Sequence, residues 1–386
     1  MAWIAWLVNR PIPGSGGQAT VFARARATAR AGHRCTFHLP GWLAEHAEAM
    51  RGAVVEWHGI AAGDVFVGYE GAAGADLVMA TDWGGLPAAG ALRAARLAQF
   101  VQDHEASFRA VGDDTLRLEA SPIVGATAIC LGNWLRGTFA ERYGRAAFGI
   151  AFGADAAIYH PDDTVAREDR VACIVQPEKA RRCPGTAVAA LEIVRERRPQ
   201  TAISIYGNET PVTGPLADYA LGRLAPTELA RLYRRARVGL CLSATNPSRI
   251  PFEMMACGLP VVELYRANTL LDLPEAGAVL ALQTPHSLAE ALIWLLDRPD
   301  AAARLGAAAA RYMEDRTAER EDREFVAAIA AILAGEQPAP SAASVPLFGR
   351  APVVLDAQRG PVTAAFLASQ RREARRIAAA AAGRLS

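Results

Sequence analysis

The sequence predicts an α/β protein with two doubly wound parallel sheets, one after the other along the chain. Short apolar runs alternate with longer segments of helical apolar spacing, which is typical of βα units around a parallel sheet. Two such series occur, and a polar stretch at residues 155–169 separates them. Ligands of open parallel sheets bind beyond the carboxyl ends of the strands, so we expect the active site in a cleft between the two lobes.

The first series contains a clear helix and six predicted strands. The helix spans residues 18–31, where apolar residues recur at helical spacing, and Gly32 ends the pattern. The predicted strands are residues 4–8, 35–39, 54–58, 76–80, 98–102 and 126–131.

The second series begins near Arg170. Its predicted strands are residues 171–175, 202–206, 238–242, 260–263 and 278–282. Its predicted helices are residues 186–197, 226–235, 251–256 and 287–296. We therefore assign residues 1–155 to a first domain, 156–338 to a second, and 339–386 to a linker and helical tail.

The tail begins with a linker that contains proline and serine after Gly335. A helix is predicted at residues 362–382, and it carries four arginines within residues 371–376. Two interpretations remain open. The helix is either a solvated element packed on a domain, or a basic surface helix that contacts anionic lipid or a partner.

The bulk composition excludes several classes of protein. Lys+Arg is 41 and Asp+Glu is 40, a balance that argues against a dedicated nucleic-acid binder. The six cysteines form no CxxC pair, which is typical of free thiols rather than of a disulfide framework. The apolar run at residues 2–8 lacks a preceding basic segment, so we interpret it as a buried strand and not as a signal peptide. We expect a cytoplasmic protein, with peripheral contact at the inner membrane surface as a further option.

The most informative segment is residues 242–263. An apolar strand ends in polar residues, Pro251 occupies a favoured first position of a short helix, and Gly258 ends that helix. Glu253 therefore lies in the first turn, where the helix dipole favours a carboxylate. Such a carboxylate can accept hydrogen bonds from the two hydroxyls of a ribose, or it can simply complement the dipole at the surface.

Cations follow the first strand of the second series, directly before a helix. They are Lys179, Arg181 and Arg182. Cations and helix N-termini are what a nucleotide diphosphate requires, and a solvated basic loop is the alternative. Asn208, at the end of the next strand, is a weaker candidate for a contact to the base or phosphate.

A glycine-rich loop joins the first strand to its helix. Gly14, Gly16 and Gly17 permit close approach of the backbone, and the helix that follows offers N–H groups to an anion. The loop is not the GxGxxG of a dinucleotide site, and a plain tight turn is the alternative.

A polar run, Gln102-Asp103-His104-Glu105, stands at the end of another predicted strand. Asp103, His104 and Glu105 could bind sugar hydroxyls, orient an acceptor or stabilise charge, and His104 could instead be a satisfied loop histidine. The chain has no HExxH, no Cys/His ligand spacing and no Asp-x-Asp at a strand end, so we expect no metal site and no cofactor.

The segment Asn-Pro-Ser-Arg-Ile-Pro-Phe-Glu-Met-Met-Ala-Cys-Gly, residues 246–258, resembles the donor-site motif of family 4 glycosyltransferases and, more closely, of WsaF-type rhamnosyltransferases. Residues 100–108, 152–161 and 261–264 agree with this resemblance, which covers roughly residues 4–333. The resemblance implies a GT-B fold, in which two Rossmann-like domains face each other across a cleft. The first domain would bind the acceptor and the second the nucleotide-sugar donor.

The resemblance also implies roles for individual residues. Glu253 matches the motif's second glutamate, which binds the ribose, whereas Thr245 stands where the first glutamate would fall. Arg181 matches a cation of the family, and Gln176 stands in place of an expected arginine whose contact Arg249 could supply. The expected nucleotide-sugar contacts are Gly14, Gly16, Gly17, Gln176, Lys179, Arg181, Arg182, Asn208, Ser248, Arg249, Ile250 and Glu253. The expected catalytic groups are Asp103, His104, Glu105 and Arg181.

The activity that the resemblance implies is glycosyl transfer with retention of configuration, without a metal or a protein nucleophile. The expected donor is dTDP-L-rhamnose, and the expected acceptor is a bacterial surface polysaccharide or its lipid-linked precursor. A GDP- or UDP-sugar donor is one alternative. The other is a non-catalytic GT-B scaffold subunit of a glycan-synthesis complex, which Thr245 and Gln176 keep open.

Overall fold

The computed structural model describes residues 1–341 and 345–384, and the chain divides into two compact units. Unit 1 is the described part of Met1–Ala151, Glu321–Ala342 and Ala380–Ser386. Unit 2 is the described part of Phe152–Arg320 and Ala343–Ala379. The units therefore interleave along the chain, whereas the sequence suggests three consecutive segments. Residues 342–344 of the expected linker lie outside the described residues.

Unit 1 is built on a seven-stranded, fully parallel sheet. Its strands are β1 (Trp3–Leu7), β2 (Arg34–Leu39), β3 (Val65–Val67), β4 (Leu77–Ala80), β5 (Leu97–Val101), β6 (Thr127–Leu131) and β7 (Phe148–Ile150). The strand order is β3-β2-β1-β4-β5-β6-β7, so β2 and β3 are added on one side of β1 and β4 to β7 on the other. This is the doubly wound order with a switch point between β1 and β4.

The helices of the N-terminal part are α1 (Gly16–Arg30), α2 (Ala47–His58), α3 (Leu86–Ala91), α4 (Asp113–Ala120) and α5 (Asn133–Tyr143). The predicted strand at residues 54–58 is wrong, because these residues form the end of α2. Ala53 and Val54 bury one helical face, and Gly59 closes the helix in the left-handed conformation with its N–H on the Val55 carbonyl. Strands β3 and β7, which have three residues each at the two sheet edges, were not predicted from the sequence.

Unit 2 has a five-stranded parallel sheet, and all five strands predicted from the sequence are confirmed. They are β8 (Arg170–Ile174), β9 (Ala202–Tyr206), β10 (Val238–Leu240), β11 (Val261–Leu264) and β12 (Ala278–Ala281). The order is β12-β11-β10-β8-β9, with β8 and β10 flanking the switch point. The helices are α6 (Pro184–Arg197), α7 (Pro226–Arg235), α8 (Ile250–Ala256), α9 (Ala267–Asp272), α10 (Pro285–Leu296) and α11 (Pro299–Met313).

Two further helices follow, α12 (Ala318–Ala334) and α13 (Pro361–Ala381). Most of α12 packs in unit 1, because Phe325 stacks on Trp6 at 5.8 Å and meets Phe100 edge-on at 5.0 Å. The buried Arg24 side chain adds an ion pair to Glu321, with N···O 2.7 Å. These contacts explain why the described part of Glu321–Ala342 groups with the first sheet.

The tail helix α13 coincides with the predicted helix at residues 362–382. Ala374 and Ile377 are buried, whereas Arg372 and Arg375 are exposed. In unit 2 the Arg371 guanidinium also contacts the Tyr265 hydroxyl. The helix is therefore docked on one face, and basic residues occupy its solvent face. No helix in the described part of the chain is both long and apolar enough to cross a membrane.

Candidate functional site

The carboxyl edge of the unit 2 sheet gathers most of the residues that the sequence singles out. Because all five strands run parallel, the loops that follow β8, β9, β10 and β11 emerge at the same edge. We refer to residues 241–249, which connect β10 to α8, as the β10–α8 loop. The turn at residues 175–183 comes from the neighbouring strand β8, on the other side of the switch point.

Glu253 lies in the first turn of α8 and is partly buried. Its pKa is raised to about 7, because burial outweighs the opposing effects of the Arg249 charge and of a hydrogen bond from Tyr159. The Glu253 side chain lies where the strands of the unit 2 sheet end, and its pKa is near neutrality. Both properties are typical of a group that binds a ligand.

Two further tyrosines extend from this carboxyl group into the core. The hydroxyls of Tyr206 and Tyr233 are 2.7 Å apart, and the Tyr233 ring stacks against Tyr159 with centroids at 6.2 Å. Burial raises the pKa of both Tyr206 and Tyr233 well above the usual value. This cluster was not predicted from the sequence, although Tyr206 stands at the end of a predicted strand. Tyr159, Tyr206 and Tyr233 therefore surround Glu253 with neutral hydroxyl groups that contact one another or the carboxyl group.

The predicted cations lie on a short 3-10 turn, Ala180–Arg182, directly before α6. The Arg182 guanidinium donates to the Ser243 hydroxyl at 2.6 Å and to the Asn246 carbonyl at 3.1 Å. The Arg181 carbonyl accepts from the Ala244 N–H at 2.9 Å. The turn and the β10–α8 loop are thus bound to each other, and Arg182 is committed to bracing that loop.

Lys179 precedes this turn and is partly buried, and its pKa is lowered chiefly by that burial. The positive charges of Arg181 and Arg182 lower the pKa further, whereas Glu178 and Glu209 oppose the shift. Lys179, Arg181 and Arg182 together form a cluster of positive charge, which would attract a multiply charged anion.

Gln176 and Asn208 follow the neighbouring strands β8 and β9. The Gln176 amide donates to the Gly207 carbonyl at 3.4 Å, which bridges the two strand ends. The Asn208 amide donates to the Thr210 carbonyl at 3.2 Å within its own loop. Both side chains therefore make contacts that stabilise the loops at the same edge.

The last predicted donor residues are Ser248, Arg249 and Ile250, at the start of α8. The Ser248 hydroxyl lies 3.6 Å from the Cys241 sulfur across the β10–α8 loop. Arg249 donates to the Gly153 carbonyl at 3.1 Å. Arg249 therefore anchors the start of α8, and Ile250 begins the helix.

The loop between β1 and α1 lies at the carboxyl edge of the unit 1 sheet. Gly14 has φ +61°, which favours glycine, and Ser15 caps α1 by accepting from the Gln18 N–H at 3.3 Å. A Cβ built on Gly16 would meet no atom within 4 Å, and one on Gly17 would meet only the Ser15 hydroxyl at 3.9 Å. Protein packing therefore does not require glycine at 16 or 17, because the space that a Cβ would occupy at each position is open.

The Asp103-His104-Glu105 run follows β5, as predicted. Asp103 accepts from the His104 N–H at 2.9 Å, and Nδ1 of His104 lies 2.7 Å from the Ser107 hydroxyl. Burial lowers the pKa of His104 to about 4, so the imidazole is neutral at physiological pH. Its Nε2 has no hydrogen-bond partner among the described residues.

Glu105 connects this run to the end of β4, which the sequence analysis did not consider. Glu105 accepts from the Trp83 N–H at 2.9 Å, and the Trp83 ring meets His104 edge-on at 5.0 Å. Asp82 accepts from the Gly85 N–H at 2.7 Å, and burial raises the pKa of its carboxyl group. The run Thr-Asp-Trp-Gly-Gly after an apolar strand was the signal available in the sequence.

Comparison with known protein families gives a match to the part of the chain that holds the unit 2 sheet. Residues 169–293, which carry the carboxyl edge of the unit 2 sheet, match the family model "WsaF, C-terminal domain". The O-antigen biosynthesis protein RfbC of Myxococcus xanthus is 29% identical over 238 residues. That match covers 59% of this chain, and the chain spans only 18% of the length of RfbC.

Two solved structures are similar over most of the chain. HepE of Anabaena in complex with UDP-glucose has a TM-score of 0.66 at 15% identity, covering 86% of this chain and 100% of HepE. A TarM variant from S. aureus, in complex with fondaparinux, α-GlcNAc-glycerol and UDP, has a TM-score of 0.62 at 11% identity, covering 85% of this chain and 99% of TarM. The predicted resemblance to WsaF and the predicted GT-B fold are both confirmed.

Proposed function

From the GT-B fold and the WsaF match, we propose that this protein is a glycosyltransferase that takes its donor as a nucleotide sugar and acts in polysaccharide biosynthesis. The observation that carries the proposal is the position of the family match. It covers the sheet whose carboxyl edge holds Glu253, the 3-10 turn Ala180–Arg182 and the β10–α8 loop. HepE and TarM, which share the fold, were crystallised with UDP-glucose and UDP respectively.

In this proposal, Glu253 anchors the nucleotide. Its carboxylate accepts hydrogen bonds from both ribose hydroxyls, in exchange for the hydrogen bond that Tyr159 now donates. The first turn of α8 adds its N-terminal dipole. Ser248, Arg249, Ile250, Gln176 and Asn208 surround the nucleotide from the neighbouring loops.

Charge on the departing diphosphate is countered by cations and helix N-termini without a metal. The transition state of glycosyl transfer resembles an oxocarbenium ion, while negative charge grows on the diphosphate. We propose that Arg181, with Lys179 beside it, counters that negative charge. In unit 1, we propose the backbone amides at Gly14, Gly16 and Gly17 as a further group that can bind an anion. Arg182 supports the site by holding the β10–α8 loop through Ser243 and Asn246.

Transfer proceeds with retention of configuration, and the leaving phosphate assists deprotonation of the acceptor hydroxyl. We place acceptor binding in unit 1, where Asp103, His104 and Glu105 follow β5. A neutral His104 with an available Nε2 can donate to or accept from a sugar hydroxyl. We propose no protein nucleophile and no cofactor.

The proposed donor is dTDP-L-rhamnose, on the strength of the WsaF match, and the proposed acceptor is a bacterial surface polysaccharide or its lipid-linked precursor. RfbC is named for O-antigen biosynthesis, which supports that class of acceptor. A UDP-sugar is the second candidate donor, because HepE was crystallised with UDP-glucose.

The test is a thermal-shift screen against dTDP-L-rhamnose, UDP-glucose and a GDP-sugar, followed by donor hydrolysis and transfer assays. A true donor at about 100 times its Kd should stabilise the fold by about 2.7 kcal/mol. Glu253→Gln is the matched variant, because it keeps the size of the side chain and removes the charge. A wild-type protein that binds every nucleotide sugar weakly and turns none over would instead support the scaffold alternative.

A further inference from the structure

Thr245 stands where the donor motif places its first glutamate, and its surroundings explain that difference. The residue is buried, and its carbonyl accepts hydrogen bonds from the Ser243 hydroxyl at 3.3 Å and from the Asn268 amide. A glutamate at position 245 would put a carboxylate into a closed loop instead of at an open site. Burying an ionised carboxylate is costly without dedicated partners.

A carboxyl group does reach this loop, but from a different strand. Glu263 of β11 is 1% exposed, and its carboxyl group accepts from the backbone N–H groups of Leu264 and Ser243. Its Oε1 is also buried and has no hydrogen-bond partner among the described residues. A strand in a sheet core seldom carries such a residue, because an apolar side chain would fill the space at lower cost.

Three polar side chains converge on residues 243–246 from three directions: Glu263 and Asn268 are buried, and Arg182 is partly buried. Arg182, before α6, donates to the Ser243 hydroxyl and to the Asn246 carbonyl. Asn268, in α9, donates to the Ser243 carbonyl at 3.1 Å and to the Thr245 carbonyl. Glu263 accepts from the Ser243 N–H. Together they satisfy the backbone groups of a loop that is too irregular to satisfy them itself.

We propose that Glu263 is a positioning residue for the donor site, which fixes residues 243–246 from β11 in place of the glutamate that the motif puts at position 245. The inference rests on the proposed glycosyltransferase function, and it concerns the same site. The fixed loop in turn sets the positions of Arg249 and of the first turn of α8, where Glu253 lies. Glu263 therefore acts on the donor through the loop.

The charge state of Glu263 sharpens the test. The groups that face it are Arg182, Arg266 at the start of α9, and the thiols of Cys183 and Cys241. Burial nevertheless raises the pKa of this carboxyl group well above its usual value, which favours the neutral acid over the carboxylate. Glutamine imitates a neutral carboxylic acid in size and keeps a carbonyl acceptor, whereas alanine removes the acceptor altogether.

The experiment compares Glu263→Ala, Glu263→Gln and the control Glu290→Ala, which alters a partly exposed carboxylate on α10. We expect Glu263→Ala to raise the Kd and the KM for the donor about tenfold, because one buried hydrogen-bond acceptor is lost. The KM for the acceptor should stay within about twofold, since that substrate is bound elsewhere. Glu263→Gln should recover most of the donor affinity, and Glu290→Ala should match the wild type.

Two results would overturn the proposal. The first is a donor KM in Glu263→Ala that is unchanged from the wild type. The second is a Glu263→Gln variant as impaired as Glu263→Ala. If Glu263→Ala does not fold, Glu263→Asp provides the test, because its shorter side chain draws the carboxyl group back from the Ser243 N–H. A donor KM in Glu263→Asp equal to that of the wild type would then overturn the proposal. A wild-type protein that binds no nucleotide sugar would refute the proposed function itself, which the wild-type measurement reveals before any variant is made.

Discussion

Glu253 combines a position in the first turn of a helix with a pKa of about 7, and both properties bear on how it would hold a ribose. The helix dipole favours the ionised form, burial favours the neutral form, and burial dominates. Near neutral pH the ionised and protonated forms of the carboxyl group are therefore both populated. The ionised form is a strong acceptor of two hydrogen bonds, and the protonated form is a weaker acceptor.

Nucleotide-sugar affinity should accordingly depend on pH. With a pKa near 7, Glu253 loses its proton as the pH rises, so the affinity for the donor should increase between about pH 6 and 8. Tyr159→Phe removes a hydrogen bond that lowers the pKa of Glu253, so the midpoint of this increase should move to higher pH. Glu253→Gln should abolish the increase.

The measurement is titration calorimetry with an intact nucleotide sugar, whose esterified phosphates do not titrate in this range as a free diphosphate would. Calorimetry on Glu253→Gln serves as the control for every other titrating group. A wild-type affinity that stays flat across neutrality would contradict the assignment of Glu253 as the ribose anchor.

Arg181 and Arg182 are adjacent in sequence but should differ in their kinetic roles. Arg181→Ala should lower kcat by at least about tenfold with a smaller effect on donor KM, because the charge that it meets grows as the glycosidic bond breaks. Arg182→Ala should raise the donor KM and lower the thermal midpoint, since Arg182 holds Ser243 and Asn246. Steady-state kinetics with both variants checks this, and identical profiles would refute the distinction.

The sequence could not separate these two arginines. Spacing and composition identify a basic turn before a helix, and the resemblance identifies one cation of the family, but neither reveals that the Arg182 guanidinium holds the β10–α8 loop. That depends on Ser243 and Asn246, about sixty residues further along the chain. The position of Glu253 in the first turn of a helix was predictable because its signal is local, namely a proline and a glycine that bound a short helix.

At the scale of elements, Arg167 joins the ends of two helices in unit 2. Its guanidinium donates to the carbonyls of Tyr233 and Ala236 at the end of α7, at 2.8 and 2.7 Å. It also donates to the carbonyls of Cys257 and Gly258 just after α8, at 2.8 and 2.7 Å. These are groups that helices leave unsatisfied, so Arg167 fixes the far end of the helix that begins near Glu253.

Arg167→Ala should lower the free energy of unfolding by about 2–3 kcal/mol, because four carbonyls lose a charged donor. Arg167→Lys should recover only part of this, since an ammonium cannot reach two pairs of carbonyls in a planar fork. Arg197→Ala, which removes a partly exposed pair with Glu290, is the control and should cost less than about 1 kcal/mol. Urea denaturation measures the free energy of unfolding of all three variants. Equal losses in Arg167→Ala and Arg197→Ala would contradict the proposed role of Arg167 in joining the two helix ends.

The elements that were predictable from sequence are those whose residues are buried on both faces. The strands of unit 2 are mostly apolar, with Glu263 of β11 as the buried exception, and all five were predicted. The wrong strand at residues 54–58 arose because Val54 and Val55 favour strands locally, whereas the packing of α2 against the sheet decides for a helix. The edge strands β3 and β7 are too short for any pattern to indicate.

For the molecule as a whole, the proposed chemistry should not need a divalent ion. Turnover should survive EDTA, since Arg181, Lys179 and helix N-termini are proposed to carry the diphosphate charge. The assay compares initial rates after dialysis against EDTA, with and without added Mg²⁺ or Mn²⁺. Loss of activity that either metal restores would count against the proposed role of the cations.

The charge of the whole molecule also shapes the last prediction, which concerns the tail. The formal net charge is only +1, so general attraction to an anionic membrane is weak. The solvent face of α13 is a local exception, because Arg372 and Arg375 are exposed while Ala374 and Ile377 are buried. If the tail contacts lipid, these two arginines should account for the contact.

The double variant Arg372→Gln and Arg375→Gln should therefore bind anionic vesicles at least about tenfold more weakly, as each basic residue contributes about 1 kcal/mol near such a surface. Its thermal midpoint should not change, because neither side chain is buried. Vesicle sedimentation with phosphatidylglycerol, and with neutral phosphatidylcholine as the control lipid, measures the effect. Substitution is sharper than deletion of the tail, since deletion would also uncover the surface that Ile377 packs against. Equal binding of the variant and the wild type would leave α13 as a packing element alone.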